Sequence, residues 1–161
     1  MTHAGRRPAG YVELAERHAQ RCRGSKGKVM ANWIETQVTT KVSPRSVAAT
    51  VARLTGILSA KGMKVFAVID QSEEAREAGQ QLRETTLVIF GSPAAGTPVM
   101  DAAPLAALDL PLKILIWADG SRTNVTYYSP AAIAARYGLS AELAAKLAGI
   151  DPLTDALIAD W

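Results

Sequence analysis

Apolar residues in this chain recur at two spacings, and the switches between them mark the predicted elements. Trp33 to Val42 alternates with Ile34, Thr36, Val38 and Thr40 at every second position, rich in β-branched residues, which predicts a first strand. Val47, Val51, Leu54 and Leu58 then recur at helical spacing. Ser43-Pro44 reads as the cap and first position of that helix, and Gly62 as its left-handed stop. Lys64 to Ile69 predicts a second strand, Ser72 to Gly79 a short charged helix, and Thr86 to Phe90 a third strand. The run Thr86-Leu-Val-Ile-Phe90 is continuously apolar after its threonine, as suits a strand buried on both faces. Gly91 to Pro98 reads as a loop, with Thr97-Pro98 capping a helix near Val99 to Ala103.

Pro111 to Ala118 predicts a fourth strand. Asp119-Gly120-Ser121-Arg122 is a hairpin turn and Thr123 to Tyr128 the return strand. Ser129-Pro130 starts a helix, Ser140 caps another that stops at Gly149, and Asp151-Pro152 starts a last turn or two through Leu157. Two strands joined by a tight turn exclude a purely parallel doubly wound sheet. The predicted class is α+β, with about five strands in an antiparallel sheet and helices packed on one side.

A length of 161 residues supplies one core, and 20% charged against 48% hydrophobic residues is ordinary globular composition. Charge divides the chain. Residues 1–29 hold seven Lys and Arg against Glu13 and Glu16, net +5, while residues 30–161 hold 11 basic against 13 acidic side chains, net −2. The first segment is expected to be a basic extension and the second a single α+β domain, with Met30 as an alternative start to Met1. A slightly acidic domain lacks the concentrated positive surface that nucleic-acid affinity depends on, so none is expected of it. No apolar run reaches membrane-spanning length and no secretory signal opens the chain, so a cytoplasmic protein without a membrane span is expected.

His3, His18 and Cys22 all lie in the extension, which leaves residues 30–161 with neither residue type. Thiol nucleophiles, Ser-His-Asp triads and histidine or cysteine metal sites are unavailable there. No metal, cofactor or catalytic residue is assigned. The candidate ligand-binding residues are Asp70, Gln71, Gly91, Ser92, Gly96, Thr97, Lys113 and Tyr127. Gly91 to Thr97 has the four-residue gap of a phosphate loop, but Thr97 stands where that motif requires Lys. The segment is read either as a structural turn or as a small-anion pocket of backbone amides, with Gly91 and Gly96 adopting unusual backbone angles. Lys113 interrupts an apolar strand, so it is read as an amphipathic side chain reaching the surface at a strand edge or, if buried, as an amine needing a partner, for which Asp109, Asp119 and Asp70 are the candidates. Asp70 is read as a helix cap before a site residue. Only one of Tyr127 and Tyr128 can line a given pocket, because neighbours on a strand face opposite ways. Trp33 and Trp117 are read as core or dimer-contact residues.

Three segments carry a resemblance: Met63-Lys-Val-Phe-Ala-Val-Ile-Asp70, Leu87-Val-Ile-Phe-Gly-Ser-Pro-Ala-Ala-Gly-Thr-Pro-Val-Met100, and Leu108-Asp-Leu-Pro-Leu-Lys-Ile-Leu-Ile-Trp-Ala-Asp119, followed by Tyr127. From about Ile34 to Leu157 the chain resembles the family called domain of unknown function 302. The resemblance implies a TATA-binding-protein-like fold, an antiparallel sheet gripped by helices and often paired as a homodimer, without importing DNA binding. Two departures stand out. Gln71 occupies a place where the family commonly shows His, and Ser92 one where it commonly shows Asn. A lost imidazole weakens a catalytic reading more than a binding one.

The leading expectation is therefore a non-catalytic homodimer that binds a small or anionic ligand, or a protein partner, near the Gly91–Thr97 loop. A second reading is a cofactor-free enzyme with Asp70 and Lys113 as an acid-base pair. A third is an adaptor whose basic extension meets nucleic acid or an anionic surface.

Overall fold

The computed structural model describes residues 37–159. The basic extension, its histidines and cysteine, and the Trp33-Ile34 start of the first expected strand lie outside the described residues. Five strands form one antiparallel sheet: β1 (Val38–Ser43), β2 (Lys64–Asp70), β3 (Thr85–Gly91), β4 (Leu112–Asp119) and β5 (Arg122–Tyr128), in the order β1-β5-β4-β3-β2. Among the described residues six α-helices accompany them: α1 (Val47–Ala60), α2 (Gln71–Glu77), α3 (Pro93–Ala102), α4 (Pro130–Tyr137), α5 (Ala141–Ala145) and α6 (Ile150–Ile158). A 3-10 turn spans Pro104–Leu108. The expected element order and α+β class are those observed.

Local chemistry explains most boundaries. Asp70 ends β2 and caps α2, its carboxylate accepting from the amides of Ser72 and Glu73 at 3.0 Å each. A bond from the Ser72 hydroxyl, the largest contributor, together with these amide bonds holds its pKa below the ordinary carboxylate value. The β4–β5 hairpin turns at Gly120, whose φ of 61° lies where a side chain would be strained.

Three expected boundaries move. Ser43 does not cap α1. It closes β1 opposite Thr123, buried and within 2.8 Å of the Thr50 hydroxyl, and Ser46 takes the capping role by accepting from the Ala49 amide at 3.3 Å. The stretch expected as a loop up to Pro98 is largely helix, because α3 starts at Pro93 and carries Pro98 inside it. Pro98 denies the Ala94 carbonyl its helical donor, a loss tolerated where exposed Ala94 meets water. Gly91 and Gly96 sit in a strand and a helix, and neither has a positive φ. Near the C-terminus α5 ends at Ala145 instead of continuing to Gly149, and α6 begins at Ile150 with Pro152 in its first turn.

Side chains of one sheet face make the principal core. Val88, Phe90, Ile114, Ile116, Val125 and Tyr127 pack there with Leu54 and Leu58 of α1 and Leu153 and Leu157 of α6. A second, smaller core gathers Val99, Ala106, Leu110, Ile133 and Leu147. Leu112, at the start of β4, packs against both. Trp117 is in neither. It is half-buried, donates from its indole nitrogen to Thr126 at 3.1 Å and lies under the Arg83 guanidinium.

Helix α6 is tied down by basic side chains. Arg45 and Arg53 donate to the carbonyls of Ala156, Leu157 and Ala159 at its C-terminal end, where free carbonyls favour cations.

Candidate functional site

Where the two cores meet at one end of the sheet they leave a cavity of about 480 Å³. Phe90 and Ile150 of the first core form part of its wall, Leu110 and Leu147 of the second form another, and Leu112 bridges them. The strand-to-helix junction Gly91-Ser92-Pro93 and the first turns of α3, including Ala95, Gly96 and Thr97, complete the lining. The volume lies within the range of small-molecule sites, and the lining is mostly apolar with a few polar groups, as such sites usually are.

Why a void persists here follows from the local geometry. The β2–β3 register shifts between Val65 and Ala67, leaving Phe66 as the extra residue of a bulge. That bulge sends the Phe66 ring to the cavity, where it stays 45% exposed with the Lys64 amine 4.8 Å from its centroid. Gly91 lies beside Pro111, where a Cβ would make only an ordinary van der Waals contact with the Pro111 Cβ at 3.5 Å. Pro111, which follows a cis peptide bond from Leu110, also lines the cavity.

The eight candidate residues divide cleanly. Gly91, Ser92, Gly96 and Thr97 all line the cavity. Asp70, Gln71, Lys113 and Tyr127 do not. Asp70 and Gln71 are at the opposite end of β2, since Asp70 pairs with Thr86 while Lys64 pairs with Gly91. Lys113 pairs with Ile89, and its amine donates to the carbonyls of Pro111 at 3.3 Å and Leu108 at 3.4 Å. None of the three expected aspartates is its partner. Asp109 instead accepts from Arg136 at 2.6 Å and Tyr137 at 2.9 Å. Asp70 and Lys113 belong to opposite sheet faces, their Cα atoms about 14 Å apart by ordinary strand spacing and rise. The acid-base pair of the enzymatic reading is not assembled.

Tyr127 belongs to a separate polar cluster on the core face. Its hydroxyl donates to the Asp151 carboxylate at 2.6 Å and accepts from Thr154 at 3.2 Å. Lys41 reaches the same place, donating to Asp155 at 2.6 Å and Thr154 at 2.8 Å. Burial, aided by the bond to Asp151, raises the Tyr127 pKa above its ordinary value. Burial pulls the Lys41 pKa down, but the bond to Asp155 and the Tyr127 hydroxyl more than offset it, so its pKa is raised. Every polar group here is satisfied within the fold, which makes the cluster a staple between β1, β5 and α6.

Its pH signature is alkaline. Both groups release their protons less readily when folded, so their contribution is complete below the unfolded values of about 10. It is lost as pH rises through the raised folded values. Chemical denaturation at pH 7 and above pH 10 should show the wild type losing stability over that window. Tyr127→Phe is expected to cost about 1 kcal/mol at pH 7, for one buried hydrogen bond, and to flatten the alkaline decline.

Sequence reasoning missed the cavity's other wall: Lys61 and Met63 after α1, and Lys146, Leu147, Gly149, Ile150 and Pro152 around the α5–α6 junction. The available signal was the apolar sequence Leu143, Leu147, Ile150, Leu153, which marks a buried face but not what it faces. Among the described residues no group of His, Cys, Asp or Glu is placed to hold a metal, and no helix is long and apolar enough to cross a membrane.

Comparison with known proteins adds three findings. The family model "Domain of unknown function DUF302" matches residues 38–157. Over 120 residues the chain is 40% identical to "Fluoride-specific ion channel FluC 1" of Brucella suis biovar 1, covering 73% of this chain and 47% of that protein. The protein of that name from Brucella abortus biovar 1 matches equally over 44% of its length, so the chain spans about half the length of the curated relatives it matches. In structure it is similar to an uncharacterized conserved DUF302 protein from Bacillus stearothermophilus, with a TM-score of 0.64 and 18% identity over 75% of this chain and 94% of that one. At that identity the likeness concerns the fold.

Proposed function

The chain belongs to the DUF302 family, and on that premise we propose that this domain binds a small molecule in the cavity between its two cores, under the first turns of α3. The observation that carries this reading is the cavity itself. A mostly apolar cleft of about 480 Å³, open to solvent, leaves apolar surface that a ligand could take out of water, and four of the residues singled out from sequence line it. Binding without chemistry suits the lining: its polar side chains are two lysines, a serine and a threonine, with no carboxylate or imidazole to move a proton.

The test is native mass spectrometry of the full chain, purified without denaturant from its own host. The reading predicts a fraction of molecules carrying an extra small mass, lost from the Ala95→Trp variant, whose indole would occupy the cavity. The same extra mass carried by both the wild type and the variant, or none on the wild type, would contradict it.

A second reading rests on the 40% identity to proteins named as fluoride-specific ion channels. There the domain serves fluoride handling, reporting on a channel through the same cavity. Disrupting the gene and measuring growth against fluoride tests it: unchanged tolerance removes the reading and leaves the cavity proposal intact.

A further inference from the structure

We infer that the ligand of this cavity is an amphipathic anion: an apolar body with one carboxylate or similarly charged head, of the class of medium-chain carboxylates. The inference rests on the binding role proposed above and adds a sign of charge and a polarity to it.

The described residues include five lysines. Three have partners for their amines. Lys41 bonds Asp155 and Thr154, Lys64 lies over the Phe66 ring, and Lys113 is held by two backbone carbonyls. Lys61 and Lys146 have none among the described residues, and both line the cavity. No acidic residue lines it, although the described residues hold as many acidic as basic side chains. Two cations unpaired among the described residues, beside an apolar cleft in a fold whose described acidic and basic side chains balance, make a locally positive mouth over a greasy interior. An uncharged apolar ligand would leave that charge unused, a cationic one would be repelled, and a small hydrophilic anion would leave the partly exposed apolar lining of Phe66, Met63, Met100 and Leu112 against water.

Both lysines are exposed at helix ends, Lys61 after α1 and Lys146 after α5, so their long stems can bring the amines to a head group while an apolar tail lies between the cores. Ser92 adds a hydroxyl that makes no capping bond with the helix it precedes.

Isothermal titration of the full chain with decanoate, decanol and decyltrimethylammonium at pH 7 and low salt tests this. Decanoate is expected to bind at least about tenfold more tightly than decanol, a difference of about 1.4 kcal/mol, with the cation weakest. In a Lys61→Glu, Lys146→Glu double variant the preference for decanoate should vanish while decanol binding is kept. Lys61→Gln with Lys146→Gln should give an intermediate loss, and circular dichroism confirms that each variant is folded. Equal binding of decanoate and decanol, or a preference unchanged by the substitutions, overturns the anion assignment and leaves the cavity's binding role standing. Absence of binding by all three overturns both.

Discussion

Phe90→Ala is expected to remove about 3 kcal/mol of stability, at the low end of the range for deleting a buried phenylalanine ring. Phe90 is fully buried, pairs with Val65 on one side and Leu112 on the other, and packs into the principal core beneath α1 and α6. A low value is expected because the ring also forms cavity wall, so the space it vacates joins a void that water can enter. Leu54 gives the contrast. It is fully buried in the same core, does not line the cavity, and should cost nearly as much on Leu54→Ala although its side chain is smaller. Urea denaturation followed by the midpoint at constant slope reads both. If Phe90→Ala costs several kcal/mol more than Leu54→Ala, the wall is sealed and the void is not continuous with solvent.

Ala95→Trp should have the opposite profile, with binding lost and the fold kept. Ala95 is half-buried in the first turn of α3, and its side chain lines the cavity. An indole there fills space that a ligand tail would otherwise occupy, so decanoate affinity should fall about a hundredfold, the equivalent of about 3 kcal/mol of denied apolar contact. Stability should change by less than about 1 kcal/mol, because the new ring packs into an existing void without forcing core side chains off their rotamers. A variant that binds as well as wild type would place the ligand elsewhere.

How much of this was readable from sequence depended on whether the information was local. The Asp119-Gly120 turn and the Asp70 cap are decided within a few residues and stand as expected, as does a strand at Leu87 to Phe90. Only one face of that strand is buried, with Val88 and Phe90 inside and Leu87 and Ile89 half-buried, because the core packs on one side of the sheet. Pro98 misled for a physical reason. Proline is a strong signal against helix interior, yet here α3 carries it where the orphaned carbonyl is solvated. Ser43 misled because its hydroxyl found Thr50 in place of a helix amide, a choice made by the pairing of β1 with β5.

The candidate site was legible by half. Gly91, Ser92, Gly96 and Thr97 are close in sequence and stay together in space. Lys61 and Lys146 lie 85 positions apart, and only the return of the C-terminal helices to the end of the sheet places both at one cavity. Alternation along a strand likewise separates Tyr127 from Tyr128 without saying which one enters the core. The sheet order decides that by setting Tyr127 among the core residues at 3% exposure and leaving Tyr128 at 42%.

The most direct test is a titration of isotope-labelled full-length protein with decanoate, followed by two-dimensional amide NMR. Binding between the two cores predicts shifts concentrated at Gly91 to Thr97, Lys61 and Lys146 to Ile150, with the Asp70–Gln71 end of the sheet unmoved. Shifts centred on Asp70, Gln71 and Tyr127, or no shifts at saturating decanoate, would contradict it.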